Sequence, residues 1–470
     1  MLGRATGLFI LLLTAATGTA FAATYTTDPA TEWQKKQSKS VKSWLTSTGF
    51  EPKAGAISLL PGRDGKLESA LVVVGGEDEV FAFGGLANAL PPGRYQFATT
   101  LSATAAERAA LGFGLGAYRF DRYKTKPSGK KPVELVWPKG VDRERVMALL
   151  EGTFLVRDLI NTPAEDMGPS QLEAAAKKLT KELGGRIQSV VGEKLLTQNY
   201  PAIHAVGRAS DDSPRLLDMH FGSEKHPKVT LVGKGVCFDT GGLDIKPSSG
   251  MLTMKKDMGG AAHVLGLALA LVKAKLPIRL RVLIPAVENN ISGNAYRPLD
   301  VLSTRKGLTI EVGNTDAEGR IILADALAEA TSEKPEIIID FATLTGAARV
   351  ALGSDVPVLF SNDASWAQSF LESGRRHSDH LWELPLYQDY KRLLESKVAD
   401  INNTSRQPYG GAITAALFLE HFVEPDIAWA HIDVMAWNVE ARAGRPVGGE
   451  AMGLRAVYHA LAERYGKTNP

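Results

Sequence analysis

One seven-residue stretch places three charged side chains at alternate positions. It reads NTDAEGR over residues 314–320, between an apolar run with strand character and one with helix character. Alternate residues of an extended segment point to the same side, so Asp316, Glu318 and Arg320 would face one space. Two carboxylates crowded on one face repel each other unless a cation or a proton separates them. The stretch therefore predicts a metal site; the alternative is a charged turn that caps the following helix.

Strands and helices alternate around this stretch. Apolar runs bounded by polar or glycine-rich ends predict strands at residues 229–232, 280–284, 308–312, 337–339 and 432–434. Helical patterns occur at residues 261–272, 321–330 and 413–422. This alternation predicts an α/β domain, a three-layer αβα sandwich around a mixed, largely parallel sheet. Ligands of such sheets bind outside the carboxyl ends of the strands, where the charged motifs fall.

The length of the chain and its breaks predict two α/β domains joined by a helix. A chain of 470 residues is longer than one ordinary core accommodates. Residues 23–145 contain short apolar runs separated by glycine- and proline-rich breaks, which predicts an N-terminal α/β domain. A helix predicted over about residues 141–160 supplies a linker at 146–165. Residues 166–470 form the larger C-terminal domain.

The N-terminus has the layout of a secretory signal. Arg4 precedes an apolar run at residues 8–13, and small residues follow as far as Ala22. This order predicts a signal peptide at residues 1–22, cleaved after Ala22, and an exported or periplasmic protein. The alternative is a misassigned start on a cytoplasmic protein. The apolar run is too short to span a membrane, so no membrane partner is expected.

Composition and missing motifs exclude several classes of function. The 54 Lys and Arg residues nearly balance the 52 Asp and Glu residues, so the charge of +2 gives no reason to expect nucleic acid. The single cysteine, Cys237, excludes a disulfide framework and a cysteine-rich zinc site, and is expected to be a small buried hydrophobe. No HExxH sequence is present, which excludes the helix-borne single-zinc site. His263, His431 and Asp433 are expected to be structural.

A second group of motifs follows the strand predicted at 229–232. The sequence runs GKGVCFDTGG from residue 233, then KPS from 246 and MKKDMGGA from 254. Glycines in such loops allow backbone to approach a ligand closely. The spacing of a phosphate-binding P-loop is absent, although each piece alone is also compatible with a generic glycine-rich turn.

Three segments together resemble one family. VGKGVCFDTGGLDIKPS from residue 232, MKKDMGGAA from 254 and NTDAEGRIILADAL from 314 are similar to the leucine aminopeptidase (cytosol aminopeptidase) family of dinuclear metallopeptidases. The resemblance covers roughly residues 155–460. It implies that the C-terminal domain is catalytic, that the chain forms a homohexamer, and that it hydrolyses N-terminal residues of peptides, preferably apolar ones such as Leu.

The resemblance also assigns roles to individual residues. It implies two divalent ions per subunit, Mn²⁺ or Zn²⁺, with Asp239 and Glu318 bridging them. Asp316 would complete one metal site, and Lys234 with Asp257 the other. An oxygen-rich ligand set with one nitrogen suits such ions, and Lys234 must be neutral to bind one.

The remaining implied roles concern catalysis and the substrate. Lys246 and Arg320 would be the catalytic cations outside the ligand set, with Arg320 anchoring a bicarbonate that acts as general base. Asp257 and one metal would hold the α-amine of the substrate. The positions expected to line the pocket for the N-terminal (P1) side chain are Met254, Thr343 and Gly346.

Two departures from the family and two other functions stay open. Leu299 replaces the usual glycine, and residues 448–455 are less typical, which bears on packing and on the P1 preference. One alternative is the DNA-binding role of some relatives, which the near-neutral charge and the expected export disfavour. The other is a non-catalytic scaffold, which the intact ligands disfavour.

Overall fold

The chain forms two compact units. The computed structural model describes residues 9–15, 35–74, 80–98, 100–126 and 132–466. The first unit comprises Met1–Leu150 and Glu440–Val447, and the second comprises Glu151–Val439 and Gly448–Pro470. The predicted linker helix is present as Arg143–Asn161, and the division between the units falls within it.

The first unit is a mixed five-stranded sheet with helices. Its strands, in the order β2-β3-β1-β4-β5, are β1 Phe9–Ala15, β2 Ile57–Pro61, β3 Leu67–Val74, β4 Gly93–Phe97 and β5 Val133–Leu135. Its helices are α1 Lys39–Ser47, α2 Leu86–Ala89 and α3 Ala103–Ala117, and α4 Arg143–Asn161 begins there. Only β4 and β5 pair in parallel.

Strand β3 is buried on both faces. Ala70, Val72 and Val74 pack in one hydrophobic cluster with residues of α2 and α3. Leu71 and Val73 point to the opposite side and pack with Leu45 of α1. A strand covered on both faces reads as a continuous apolar run, which is why this run was recognisable as a strand.

Most of the predicted signal peptide lies outside the described residues. Its apolar run is described in part, as strand β1, whose backbone pairs antiparallel with β3 from Phe9↔Val74 to Thr14↔Ser69. The same strand pairs with β4 at Leu13↔Phe97. Cleavage after Ala22 stays a prediction.

The second unit is built on a nine-stranded, mostly parallel sheet. Its strand order is β15-β14-β17-β13-β8-β10-β7-β6, and β9 also pairs with β10. The strands are β6 Arg186–Val191, β7 Arg215–Phe221, β8 Lys228–Gly233, β9 Gly235–Asp239, β10 Arg279–Asn289, β13 Ile337–Ala342, β14 Val358–Ser361, β15 Trp382–Glu383 and β17 Ala428–Asp433. The central strands are parallel, while β14, β7 and β6 pair antiparallel with neighbours.

Helices cover both faces of this sheet. On one face Val232, Leu283 and Ile338 pack in one cluster with residues of three helices: α7 Pro201–Gly207, α10 Glu318–Thr331 and α13 Gly411–Glu420. On the other face α9 Gly259–Lys273 lies against β8 and β13. The predicted α/β class and three-layer arrangement are confirmed.

The remaining helices and strands complete the second unit. The helices are α5 Pro169–Glu182, α6 Lys194–Thr197, α8 Ser248–Met251, α11 Gly346–Leu352, α12 Ala364–Arg376 and α14 Leu454–Tyr465. Three short strands form a second sheet, β11 Val301–Ser303, β12 Thr309–Glu311 and β16 Ile401–Asn402, while β18 Trp437–Asn438 pairs with β19 Gly448–Gly449. The strand predicted at 308–312 is therefore present as β12.

Strand β17 begins earlier than its apolar run indicated. The prediction covered residues 432–434, whereas the strand runs from Ala428. Asp340 of β13 accepts hydrogen bonds from the Trp429 indole at 2.7 Å and lies 2.6 Å from Nδ1 of His431. These hydrogen bonds satisfy the buried polar groups of Asp340, Trp429 and His431. Polar side chains interrupt an apolar pattern, so the predicted strand was too short.

Leu299 occupies a conformation that explains why a glycine is usual there. Its φ is 69°, in the left-handed region, and its side chain is 72 % exposed. Glycine adopts this region without the steric penalty that other residues meet. The substitution therefore changes local backbone strain and no buried contact.

Candidate active site

The charged motifs meet where the central parallel strands end. Lys234 directly follows β8, and Asp239 is the last residue of β9. Asn289 ends β10, and Thr343 directly follows β13. This is the edge at which parallel sheets bind ligands.

Three carboxylates form a cluster suited to a metal ion. Oxygen atoms of Asp239, Asp316 and Glu318 all lie within 4.8 Å of one another. Burial, followed by the charge of Asp239, raises the pKa of Glu318 to about 8. Burial and then Asp257 raise the pKa of Asp239 to about 6. These carboxylates crowd so closely that they need added positive charge to be fully ionised.

Two lysines lie among the carboxylates. Lys234 Nζ is 2.8 Å from Asp257 Oδ2 and 2.8 Å from Glu318 Oε1, and donates to the carbonyl of Thr343 at 3.0 Å. Burial opposes the charge of Lys234, but the surrounding carboxylates, first Asp257 and then Glu318, outweigh it and hold its pKa above the ordinary value. The neutral form expected of Lys234 therefore requires divalent ions to neutralise these carboxylates instead.

Lys246 lies on the other side of the cluster. Its Nζ is 2.8 Å from Asp239 Oδ2 and also pairs with Asp316. Burial alone would lower the pKa of Lys246, but Asp239 and Asp316 have the larger, opposite effect and hold it above the ordinary value. Lys246 is therefore cationic at neutral pH, as expected.

The donor set fits divalent ions. Glu318 is 1 % exposed, and its Oε2 accepts no hydrogen bond from any residue in the described part of the chain. A buried carboxylate oxygen without a donor is costly unless a cation binds it. Carboxylates with one amine nitrogen suit Mn²⁺, Zn²⁺ or Mg²⁺.

The predicted geometry of residues 314–320 is wrong, although its carboxylates do converge. Asp316 lies in a turn, Glu318 is the first residue of α10, and Arg320 lies in the first turn of that helix. Arg320 Nη1 donates to the carbonyl of Asn403 at 2.6 Å. The three residues share a site because a turn leads into the start of α10 at the sheet edge. They do not alternate along an extended segment.

Arg320 keeps its charge in a buried position. It is 9 % exposed, and burial lowers its pKa to about 10. It is thus cationic at neutral pH, as the sequence predicted, and makes no ion pair with a carboxylate among the described residues.

A glycine within the motif makes room for a lysine. A Cβ at Gly319 would stand 2.7 Å from Nζ and 2.6 Å from Cε of Lys234. Because Lys234 is buried between two carboxylates, it cannot move aside without losing both ion pairs. Gly319 is therefore required for Lys234 to reach Glu318.

Two asparagines that the sequence analysis did not single out hold the motifs together. Asn289 Nδ2 donates to Asp239 Oδ1 at 2.8 Å and to the carbonyl of Thr315 at 3.0 Å. Asn403 Nδ2 donates to the carbonyl of Asn314 at 2.8 Å, and its own carbonyl accepts from Arg320. Asn289 could have been noticed as a polar residue closely following a predicted strand, whereas Asn403 carries no local signal.

The three residues expected to line the substrate pocket lie on a 3₁₀ helix, in the segment after β13 and at the start of α11. Met254 begins the 3₁₀ helix Met254–Met258, which also carries Asp257. Thr343 Oγ1 donates to Asp257 Oδ1 at 2.7 Å, and Gly346 begins α11 three residues later. Their role in binding a substrate side chain stays a prediction.

Two further cations of the second unit, Lys256 and Arg349, act on each other through their charges. Lys256 is 2 % exposed; burial, followed by the charge of Arg349, lowers its pKa to about 8. Arg349, on α11, has a buried Nη1 without a hydrogen-bond partner among the described residues. The sequence motifs gave no role to either residue.

The residues expected to be structural all make contacts within the fold. His263 is stacked on Phe341 and accepts from the Met452 backbone at 2.9 Å. His431 pairs with Asp340, while Asp433 accepts from the backbone and hydroxyl of Thr345 at the start of α11.

Cys237 is buried, as expected of a small hydrophobic residue. It is 1 % exposed, and burial raises the pKa of its thiol well above the ordinary value.

Among the described residues no helix has both the length and the apolar character to span a bilayer. The fold and the acidic cluster define a two-domain α/β protein with a group of carboxylates that could hold a metal ion. The model of the cytosol aminopeptidase family, catalytic domain, matches residues 154–458, and that of the M17 aminopeptidase N-terminal domain matches residues 24–138. The chain belongs to the cytosol aminopeptidase family, and thus to a class of aminopeptidase enzymes.

Individual relatives agree with this membership. A probable cytosol aminopeptidase of Syntrophotalea carbinolica is 40 % identical over 368 residues, which cover 75 % of this chain and 74 % of that protein. The crystal structure of a cytosol aminopeptidase from Coxiella burnetii is 50 % identical, with a TM-score of 0.89, covering 93 % of this chain and 95 % of that one. The bottromycin maturation enzyme BotP in complex with Mn is 34 % identical, with a TM-score of 0.81 and coverages of 90 % and 96 %.

Proposed function

We propose that this chain is a dinuclear metal-dependent aminopeptidase that hydrolyses the N-terminal residue of peptides, preferably an apolar residue such as Leu. The observation that carries the proposal is the buried cluster of Asp239, Asp316 and Glu318 at the sheet edge. The Mn bound by the similar enzyme BotP supports a divalent ion in this cluster.

Five residues would hold the two ions. Asp239 and Glu318 would lie between them, with Asp316 on one side and Lys234 and Asp257 on the other. Buried oxygens of Asp257, Asp316 and Glu318 fit this assignment, which also requires Lys234 to lose a proton when an ion binds. When bound, such ions polarise a substrate carbonyl and lower the pKa of a coordinated water.

The remaining site residues act on the substrate directly. Lys246 is a cation at the open side of the cluster, where it stabilises the negative charge that develops on the carbonyl oxygen during attack. Asp257 accepts the free α-amine, which restricts the reaction to N-terminal residues. Arg320 holds a bicarbonate that accepts the proton of the attacking water.

A chromogenic assay tests the proposal. Leucine p-nitroanilide should be hydrolysed after loading with Mn²⁺ or Zn²⁺, and chelation with EDTA should remove the activity reversibly. A chain that is inactive with either ion, or fully active after complete metal removal, contradicts the proposal. Inactivity with an intact fold would favour a scaffold role.

We also propose a cytoplasmic location and a homohexamer. The names of the cytosol aminopeptidase relatives support the location. The hexamer rests on family resemblance. N-terminal sequencing of the protein from fractionated cells and light scattering test the two statements; a start near Ala23 in the periplasm, or a stable monomer, contradicts them.

A further inference from the structure

Asn289 joins the two segments that carry the carboxylate cluster. Its Nδ2 donates to Asp239 Oδ1 at 2.8 Å and to the carbonyl of Thr315, the residue before Asp316, at 3.0 Å. Its own backbone carbonyl accepts from the amide and the hydroxyl of Thr240, at 3.1 and 2.8 Å. One buried residue therefore contacts both the loop after β9 and the stretch before α10.

The pairing of β9 with β10 places Asn289 at this point. Val287 pairs with Val236 and Asn289 pairs with Asp239, so β9 has one residue more than β10 between the two pairs. Such an irregularity redirects the side chains that follow it and is common next to active sites. Here it brings the amide of Asn289 to the carboxylate of Asp239.

The contacts of the Asn289 amide are with the proposed metal-binding segments. The residue is 0 % exposed, and its Oδ1 accepts no hydrogen bond from any residue in the described ranges. The reverse orientation of the amide would place an oxygen against two acceptors, the Asp239 carboxylate and the Thr315 carbonyl. A buried acceptor without a donor destabilises the folded state, so the position of this amide is explained by the site and not by packing.

Two further hydrogen bonds restrict the same acceptors. Asp239 Oδ1 also accepts from the Gly241 backbone at 2.9 Å, and the Tyr296 hydroxyl donates to the Thr315 carbonyl at 2.5 Å. Because Oδ1 holds two donors, the Asp239 carboxylate has a fixed orientation, in which Oδ2 lies 2.8 Å from Lys246 Nζ. Partners of this kind orient metal ligands without binding the metal themselves.

We infer that Asn289 is a positioning residue that sets the affinity of the site for divalent ions, with the Tyr296 hydroxyl as its partner on the Thr315 carbonyl. The inference rests on the proposed function and identifies what controls its metal site. Asn289 acts through Asp239, proposed to lie between the two ions, and through the backbone next to Asp316. Without the amide, these two carboxylates are no longer ordered relative to each other before an ion binds.

Manganese binding to the full-length chain tests the inference. Titration calorimetry of the metal-free protein with Mn²⁺ measures the affinity independently of catalysis. Asn289→Ala should bind Mn²⁺ about 10–100-fold more weakly than the wild type, the size typical of losing a residue that orients a metal ligand. The KM for leucine p-nitroanilide at saturating Mn²⁺ should stay unchanged, because no group that contacts the substrate is lost.

Tyr296→Phe is the second variant, because it removes one hydroxyl and keeps the ring in the core. It should weaken Mn²⁺ binding about threefold to tenfold, as expected for the loss of one hydrogen bond. If Asn289→Ala does not fold, the Mn²⁺ affinity of Tyr296→Phe decides alone.

A buried asparagine outside the cluster provides the matched control. Asn438 is 1 % exposed, and its Nδ2 donates at 2.6 Å to Glu450, the ion-pair partner of Arg157. Asn438→Ala should lower the melting temperature and leave the Mn²⁺ affinity unchanged. Wild-type Mn²⁺ affinity in Asn289→Ala and Tyr296→Phe, or an equal loss of affinity in Asn438→Ala, overturns the inference while the aminopeptidase proposal stands. A wild-type chain that binds no Mn²⁺ and hydrolyses no leucine p-nitroanilide with any divalent ion refutes both.

Discussion

The burial of the Glu318 carboxylate is energetically unfavourable. It is 1 % exposed, one of its oxygens lies 2.8 Å from Lys234, and the other accepts no hydrogen bond from the described residues. Burial raises its pKa to about 8. Such a residue opposes folding unless a bound cation neutralises it, so its position at the sheet edge is explained by function and not by packing.

Arg320 should separate catalysis from metal binding. It makes no ion pair with the cluster, and its Nη1 donates to the carbonyl of Asn403. We expect Arg320→Ala to retain its metal content and to lose about 100-fold in kcat, the size typical of removing a charged group that acts on the transition state. Metal analysis and steady-state kinetics check this expectation.

The matched control for that variant is an exposed arginine. Within the described ranges Arg297 pairs only with Asp300, and its side chain is 68 % exposed. Arg297→Ala should change neither metal content nor kcat. Loss of metal in Arg320→Ala, or a wild-type kcat, would show that the assigned role of Arg320 is wrong.

At the scale of elements, the active site depends on how strands end and helices begin. The glycine-rich loop between β9 and α8 turns with Gly241 at a φ of 89° and Gly242 at 64°. Thr315 Oγ1 donates to the carbonyl of Gly241, which ties this loop to the stretch before α10. Loop and helix start thereby bring Asp239 and Glu318 together.

An ion pair between α5 and β7 predicts a pH dependence of stability. Glu173 lies 2.6 Å from Lys177 Nζ and 2.5 Å from Arg215 Nη1. Burial raises its pKa, but Lys177, Ser189 and Arg215 outweigh burial and lower it from 4.5 to about 2. Because the folded pKa is the lower one, the stabilisation is complete above pH 4.5 and disappears as the pH falls toward 2.

Urea unfolding of Glu173→Gln measures this contribution. The variant should be about 1–3 kcal/mol less stable than the wild type at pH 7, with the difference shrinking below pH 4.5. Glu182→Gln on the same helix is the control, since its pair with Lys178 is exposed at 3.9 Å and should contribute about 0.5 kcal/mol or less. A difference for Glu173→Gln that is independent of pH would contradict the pKa argument.

At the scale of the whole molecule, local sequence patterns predicted the helices and strands well. They predicted the contacts between segments distant in sequence less well. The apolar runs at β8, β10 and β13 identified the α/β unit because those strands are buried on both faces. The segment Glu440–Val447 belongs with the first unit, although it follows β18 of the second. The amino-acid composition of this segment does not indicate that it leaves the second unit.

The same limit applies to the site. The motifs and their family resemblance identified Lys234, Asp239 and Glu318, which the structure brings together. Spacing alone gave the wrong geometry, because a turn and a helix replace the extended segment. Asn403 was not found, since partners distant in sequence become visible only in the fold.

The central claim is that the buried carboxylates hold the metal ions on which peptidase activity depends. The most direct measurement is the number of divalent ions bound per chain in the wild type and in Glu318→Ala, determined by mass spectrometry alongside leucine p-nitroanilide hydrolysis. The exposed Glu182→Ala serves as control. We predict two ions and activity for the wild type and the control, and at least one ion fewer with no activity for Glu318→Ala. Two bound ions and full activity in Glu318→Ala would contradict the account.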